Sequence, residues 1–149
     1  MLKETIEILD LNIKRAKSDF LEIKSWNELI PLFFNNDNKR RVIDSFIFRF
    51  IKIQDLMGEK LFKEILSTLG EYKRSMSFID VLDKMEQLEL INSANKWNDY
   101  RELRNELSHE YPMDEDETIK DITMALTAFG EIEIIFSSLK KYLQNKSII

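Results

Sequence analysis

One stretch of the chain gathers side chains of different chemistry. In "RELRNELSHEYP", residues 101–112, there are two arginines, an amide, a hydroxyl, the only histidine of the protein and a tyrosine. Arginine is a planar, permanently charged fork that grips phosphate oxygens in pairs. Histidine exchanges a proton near neutral pH, a contribution of roughly 10²–10⁴ to a rate. Arg104 and His109 together therefore suit cleavage of an RNA phosphodiester. The imidazole would handle the proton of the 2′-hydroxyl or of the leaving oxygen, and the guanidinium would steady charge building on phosphorus oxygens. One histidine, no cysteine and scattered carboxylates do not compose a metal site, so neither metal nor cofactor is expected.

The spacing decides which of these groups share a face. At about 100° per residue, Trp97, Tyr100, Leu103 and Leu107 fall within an arc of about 60°, the buried side of a helix. If that helix runs to about Glu110, His109 lies roughly 155° from the buried arc and is solvent-facing. Asn98, Arg101, Asn105, Ser108 and His109 then form one polar face, with Asn105 and His109 close enough to touch. Arg104 lies at its edge, stem on apolar neighbours and head free. Asn105 and Ser108 are expected to support the pair. Arg101 is the weaker second phosphate ligand, or simply a solvated cation. Arg104 and His109 would stand about 140° apart around the helix and ~7.5 Å apart along it. One helix does not easily aim both at one phosphate, so a homodimer that brings two helix ends to a shared cleft is expected.

The remaining segments must position that helix. With 149 residues, 44% of them hydrophobic, the chain is long enough for one domain, residues 1–149. Three glycines and two prolines leave little room for turns and favour a few long helices. Leu2, Ile6, Leu9, Ile13, Ala16, Phe20 and Ile23 recur at four-and-three spacing, the seam of a first helix. A connection around Pro31 and Asn35–Asn38 follows, with a short helical turn near Trp26 and Asp37 or Asn38 capping the next helix. The segment from Val42 to Gly70 is apolar over a wide arc and should lie centrally. Gly58 marks a kink or a close approach, and Gly70 a helix stop. Ser77 and Asp80 form a capping box for a short third helix. Asn92 or Ser93 caps the fourth. Asp114–Glu117 open the last, whose stripe runs from Ile119 to Leu143, with Lys140 and Lys141 in its final turn. The expectation is an all-α, up-and-down bundle of about five helices.

Charge and composition narrow the setting. A net charge of −5 argues against a broad nucleic-acid surface, though Lys39-Arg40-Arg41 is a local basic run. Absence of cysteine excludes disulfides. No uninterrupted apolar run reaches the ~20 residues that span a bilayer, and the N-terminus lacks a signal-peptide core. A soluble, cytoplasmic protein with no membrane partner is expected. Asp55, set in an apolar helix, is either a functional acid or the partner of a core arginine such as Arg49, the second being favoured. Trp97 and Tyr100 read as core, not as stacking platforms.

"RNELSHEY" resembles the signature of the HEPN superfamily: Arg104, the polar Asn105, three residues, His109, one residue, Tyr111. The approach "SFIDVLDKMEQLELINSANKWNDYRELRNELSHEYP" is similar to the stretch leading into that motif in bacterial HEPN proteins paired with minimal nucleotidyltransferases. The likeness runs from about Val42 to about Leu139. It implies a bundle of four to five helices, usually dimeric, and in many members a toxin that cuts RNA without a metal through Arg104 and His109. In the HepT-like branch a cognate nucleotidyltransferase, the antitoxin, adds AMP to the motif tyrosine, here Tyr111. A bulky charged adduct two residues from His109 would block the cleft and repel phosphate. Read without the resemblance, Tyr111 only packs at a helix end before Pro112. A sibling branch implies a non-catalytic substrate- or nucleotide-binding partner of a nucleotidyltransferase. Its acidic positions on the second helix are replaced here by Ile47 and Arg49. The acidic balance points to a structured RNA held at few phosphates, such as tRNA.

Overall fold

The computed structural model describes all residues except 28, 31–34 and 110–114. Among the described residues the fold is all-α. Helix α1 spans Leu2–Ser25, α2 Asp37–Asp55, α3 Phe62–Thr68, α4 Phe78–Gln87, α5 Ala94–Ser108 and α6 Glu115–Asn145. A π-helical segment, Leu56–Leu61, joins α2 to α3, so these form one rod and the described residues make five rods.

Cross-helix pairs give the rods their directions. On α1, Thr5, Asn12 and Asp19 bond in turn to Glu64, Arg49 and Ser45, so α1 and the second rod are antiparallel. Asp10 and Lys17 meet Lys140 and Glu133, so α1 and α6 are antiparallel as well. Asp55 meets Arg104, and Gly58 faces Trp97, which sets α5 against the second rod in the same sense. Four long rods thus run alternately up and down around one core, and short α4 braces α3 and α5.

That core is built from the predicted stripes. Ile6, Leu9, Ile13, Ala16 and Ile23 of α1 are buried, with Leu2 and Phe20 packed against them. Phe20, Phe46 and Phe129 stack at centroid distances of 5.5 and 5.8 Å and tie α1, α2 and α6 together. Phe62, Trp97 and Tyr100 do the same for α3 and α5 at 4.8 and 5.6 Å. Trp97 and Tyr100 are therefore core, as the spacing predicts.

Local signals place most helix ends. Ser77 and Asp80 form the capping box of α4, and Ser93 caps α5 by accepting from the Lys96 amide. Gly70, at φ +74°, ends α3, with the Glu71 amide bonded back to the Leu66 carbonyl. Other expectations shift. Asn36, not Asp37 or Asn38, caps α2. Trp26 belongs to the C-terminal end of α1 and does not start a separate turn. Lys140 is not in the last turn of α6, which continues to Asn145; it reaches Asp10 of α1 at 2.8 and 3.0 Å. The connection expected at Pro31 lies outside the described residues.

Among the described residues α6 is the one helix long and apolar enough, by length and composition, to cross a membrane. The criterion of uninterrupted apolar residues misses it, because Glu131 and Glu133 interrupt the run without lowering its mean hydropathy enough. Ile122, Phe129, Ile132, Phe136 and Leu139 of this helix are buried in the bundle.

Candidate functional site

Arg104 is held by Asp55. Its Nε and Nη2 donate to the two carboxylate oxygens of Asp55, each at 2.8 Å. The side chains are 26% and 32% exposed, so the pair sits at the rim of the core and not in bulk water. The Asp55 bond raises the Arg104 pKa above its ordinary value, against the opposing effect of burial. Asp55 occupies the Nε–Nη2 edge of the fork. The Nη1–Nη2 edge points elsewhere, with Nη1 3.5 Å from the Asn105 side-chain oxygen. A planar or tetrahedral anion binding that edge would have to share or displace this long Asn105 bond.

Asp55 is thus the partner of a rim arginine, as expected, but that arginine is Arg104 and not Arg49. Arg49 Nη1 donates instead to the Asn12 side-chain oxygen at 2.9 Å. The physical reason was available in the spacing. Residues six apart on a helix point about 120° away from each other and do not pair. An acid isolated on an apolar helix was the usable signal; only its cross-helix partner needed the fold.

His109 is exposed, as expected, but not because it lies on a helical face. Helix α5 ends at Ser108, and His109 is its C-cap, with extended backbone at φ −75° and ψ 137°. Its amide reaches back to the Glu106 carbonyl at 3.4 Å. The expected helix to Glu110 is therefore too long, and the angular relations drawn from it for His109 do not hold. The i,i+4 contact between Asn105 and His109 loses its basis, and Asn105 lies beside the Arg104 guanidinium instead. Extended backbone at His109 takes the imidazole off the helix barrel and frees its direction from the helical period.

The other candidates divide. Ser108 donates its hydroxyl to the Asn105 carbonyl at 2.7 Å, which closes the last turn of α5. The Arg101 guanidinium lies 4.1 Å above the Phe78 ring of α4, a cation–π contact that ties α5 to α4. Tyr111 lies outside the described residues, as do Pro112 and Asp114. Arg104, Asn105 and Asp55 are thus brought together, and His109 stands at the end of the same helix.

An acidic cluster and a bonded glutamate lie where α5 meets α6. Burial, with Glu106 and Glu117 nearby, pushes the Asp121 carboxyl above the usual carboxylate range. On the α6 side, Glu131 accepts from Lys96 at 2.8 Å and from the Tyr100 hydroxyl at 3.0 Å. The Lys96 bond chiefly holds Glu131 below its ordinary range, while burial and then Glu131 raise the Tyr100 phenol. No group of three or more His, Asp or Glu among the described residues is placed to hold a metal ion.

Comparison with protein-family models, with curated proteins and with solved structures gives no match for this chain.

Proposed function

We propose that this chain is a HEPN-like endoribonuclease, the toxin of a pair whose antitoxin is a minimal nucleotidyltransferase, and that it works as a cytoplasmic homodimer. The observation that carries the reading is Arg104. A carboxylate fixes one edge of its guanidinium, the other edge carries only a long bond to the Asn105 side chain, and an exposed histidine follows five residues later at the end of the same helix. In the reaction the 2′-oxygen of RNA bonds to phosphorus and the bond from phosphorus to the 5′-oxygen breaks. His109 of one copy accepts the 2′-hydroxyl proton. Its counterpart in a second copy returns a proton to the leaving 5′-oxygen. The Nη1–Nη2 edge of Arg104 binds the non-bridging oxygens as their charge grows. The products are a 2′,3′-cyclic phosphate and a 5′-hydroxyl. Asn105 flanks the guanidinium, and Tyr111 is the proposed site of AMP addition.

A second reading has an observation of its own. The Asp55 carboxylate offsets part of the Arg104 charge, and the chain carries a net charge of −5. Both favour a non-catalytic partner of a nucleotidyltransferase that holds a nucleotide or substrate in the same place. Growth on induced expression separates the two. The toxin reading predicts arrest that Arg104→Ala or His109→Ala each relieves. Equal growth of all three strains at equal protein level favours the binding partner.

A further inference from the structure

Phe48 is a large aromatic side chain with 57% of its surface exposed, on the outer face of α2. A single exposed apolar residue is ordinary. This one lies between two cations: Arg49 Cζ is 5.4 Å and Lys52 Nζ 5.9 Å from its ring centroid. The Arg49 guanidinium bonds to the neutral amide oxygen of Asn12, so its charge is not cancelled. Among the described residues neither cation pairs with a carboxylate. Asp44, one turn earlier, has a partner of its own.

The helical register connects this patch to Arg104. Phe48, Lys52 and Asp55 follow at spacings of four and three, one exposed stripe of α2. Phe48 lies seven residues before Asp55, about 10 Å along the axis and only about 20° around it. Because α2 and α5 are antiparallel, the direction from Asp55 to Phe48 is also the direction from Arg104 to His109. The C-terminal end of α5, about 7 Å beyond Arg104, therefore draws level with the Lys52–Phe48 part of the stripe. A guanidinium, an ammonium and an aromatic ring then line one side of the bundle, with the C-terminal end of α5 level with them.

We propose that Phe48 is a stacking platform for an unpaired nucleotide next to the phosphate held by Arg104, with Lys52 and Arg49 on the backbone phosphates. This rests on the ribonuclease reading and adds the form of its substrate: single-stranded RNA, a loop or an end, not a duplex. Every base presents a π face, and an aromatic flanked by cations is the arrangement that binds unpaired strands with little sequence preference. A paired base offers no free face to Phe48.

The test uses the full chain carrying His109→Ala, so that RNA survives, and a fluorescent ten-nucleotide oligouridylate, alone and annealed to its complement. Single-strand binding should exceed duplex binding. Phe48→Leu should weaken it about ten-fold or more without changing its salt dependence. Lys52→Gln should lower the slope of log affinity against log salt by about 0.7. Melting temperature should stay within about 2 °C in both, as expected for exposed positions. Affinity within two-fold of the parent in Phe48→Leu overturns the proposal. So does loss of a dimer in that variant with RNA affinity unchanged, which would make the face an interface between copies. Cleavage by the His109-containing chain is scored separately. Lost binding in Phe48→Leu with no cleavage by that chain would overturn the ribonuclease reading and leave the platform standing. Cleavage with unchanged binding would do the reverse.

Discussion

A guanidinium has two edges that each offer a pair of donors, and in Arg104 the Asp55 carboxylate fills one of them. The pairing orients the other edge and restrains a side chain that would otherwise lose rotamer freedom on binding. Asp55→Ala should therefore act twice. Loss of a rim ion pair with two hydrogen bonds should cost about 1–2 kcal/mol, a fall in Tm of roughly 2–6 °C by thermal denaturation. Cleavage should fall by about ten-fold or more, with Asp55→Asn, which keeps one acceptor, in between. An unchanged rate in Asp55→Ala would show that the pair serves only the fold. Asp121 gives a pH-dependent counterpart. Its carboxyl is raised by burial and by its acidic neighbours, so the folded state binds this proton more tightly than the unfolded state does. The associated stability is full below the unfolded pKa and is lost as pH rises through the folded one. Asp121→Asn should thus raise Tm at pH 7, and the gain should shrink to nothing below about pH 4, where the acid is protonated in both states. A gain that grows on acidification would contradict this sign.

Among the elements, the π-helical segment Leu56–Leu61 has the most bearing on the site. It begins directly after Asp55, and its Gly58 faces α5. A Cβ at Gly58 would lie 3.1 Å from the Trp97 indole nitrogen and 3.3 Å from the Phe78 ring. The glycine therefore sets how closely α5 approaches, and with it the reach of Arg104 to Asp55. Trp97 is buried and packed edge-on against Phe62 and Tyr100, so it has little room to move aside. Gly58→Ala should destabilise by about 1–3 kcal/mol, measured by denaturant unfolding, although alanine is the better helix former. A stabilised variant would mean that α5 yields freely. The close approach at Gly58 was legible in the sequence, as were the capping box at Ser77 and Asp80 and the apolar seam of α1, because each is a local signal. The π turn was not, since its sequence "LMGEKL" reads as an ordinary helix. Nor was the end of α5: "RNELSHE" continues the periodicity through His109, and nothing local before Pro112 marks Ser108 as the last helical residue. The partner of Asp55 depended on packing between residues 49 positions apart.

At the scale of the whole molecule, the alternating rods place Arg104 about one turn before the C-terminal end of α5 and His109 at that end. Helix α5 packs against α2 on one side and α6 on the other. Acids gather on the α6 side at Glu106, Glu117 and Asp121, whereas Lys52, Arg49 and Phe48 line the α2 side. An RNA phosphate is favoured on the second side and repelled on the first, which reconciles a net charge of −5 with a nucleic-acid substrate held at few contacts. The proposed reaction needs both a proton acceptor and a proton donor, and the chain has one histidine, so that proposal calls for two copies. The most direct measurement is RNA cleavage by the purified protein in EDTA, beside Arg104→Ala and His109→Ala, with the product ends identified. The account predicts 2′,3′-cyclic phosphate and 5′-hydroxyl ends from the parent protein and loss of cleavage by about 10² or more in each variant. Intact RNA with demonstrably unmodified protein, or cleavage that persists without His109, would contradict it.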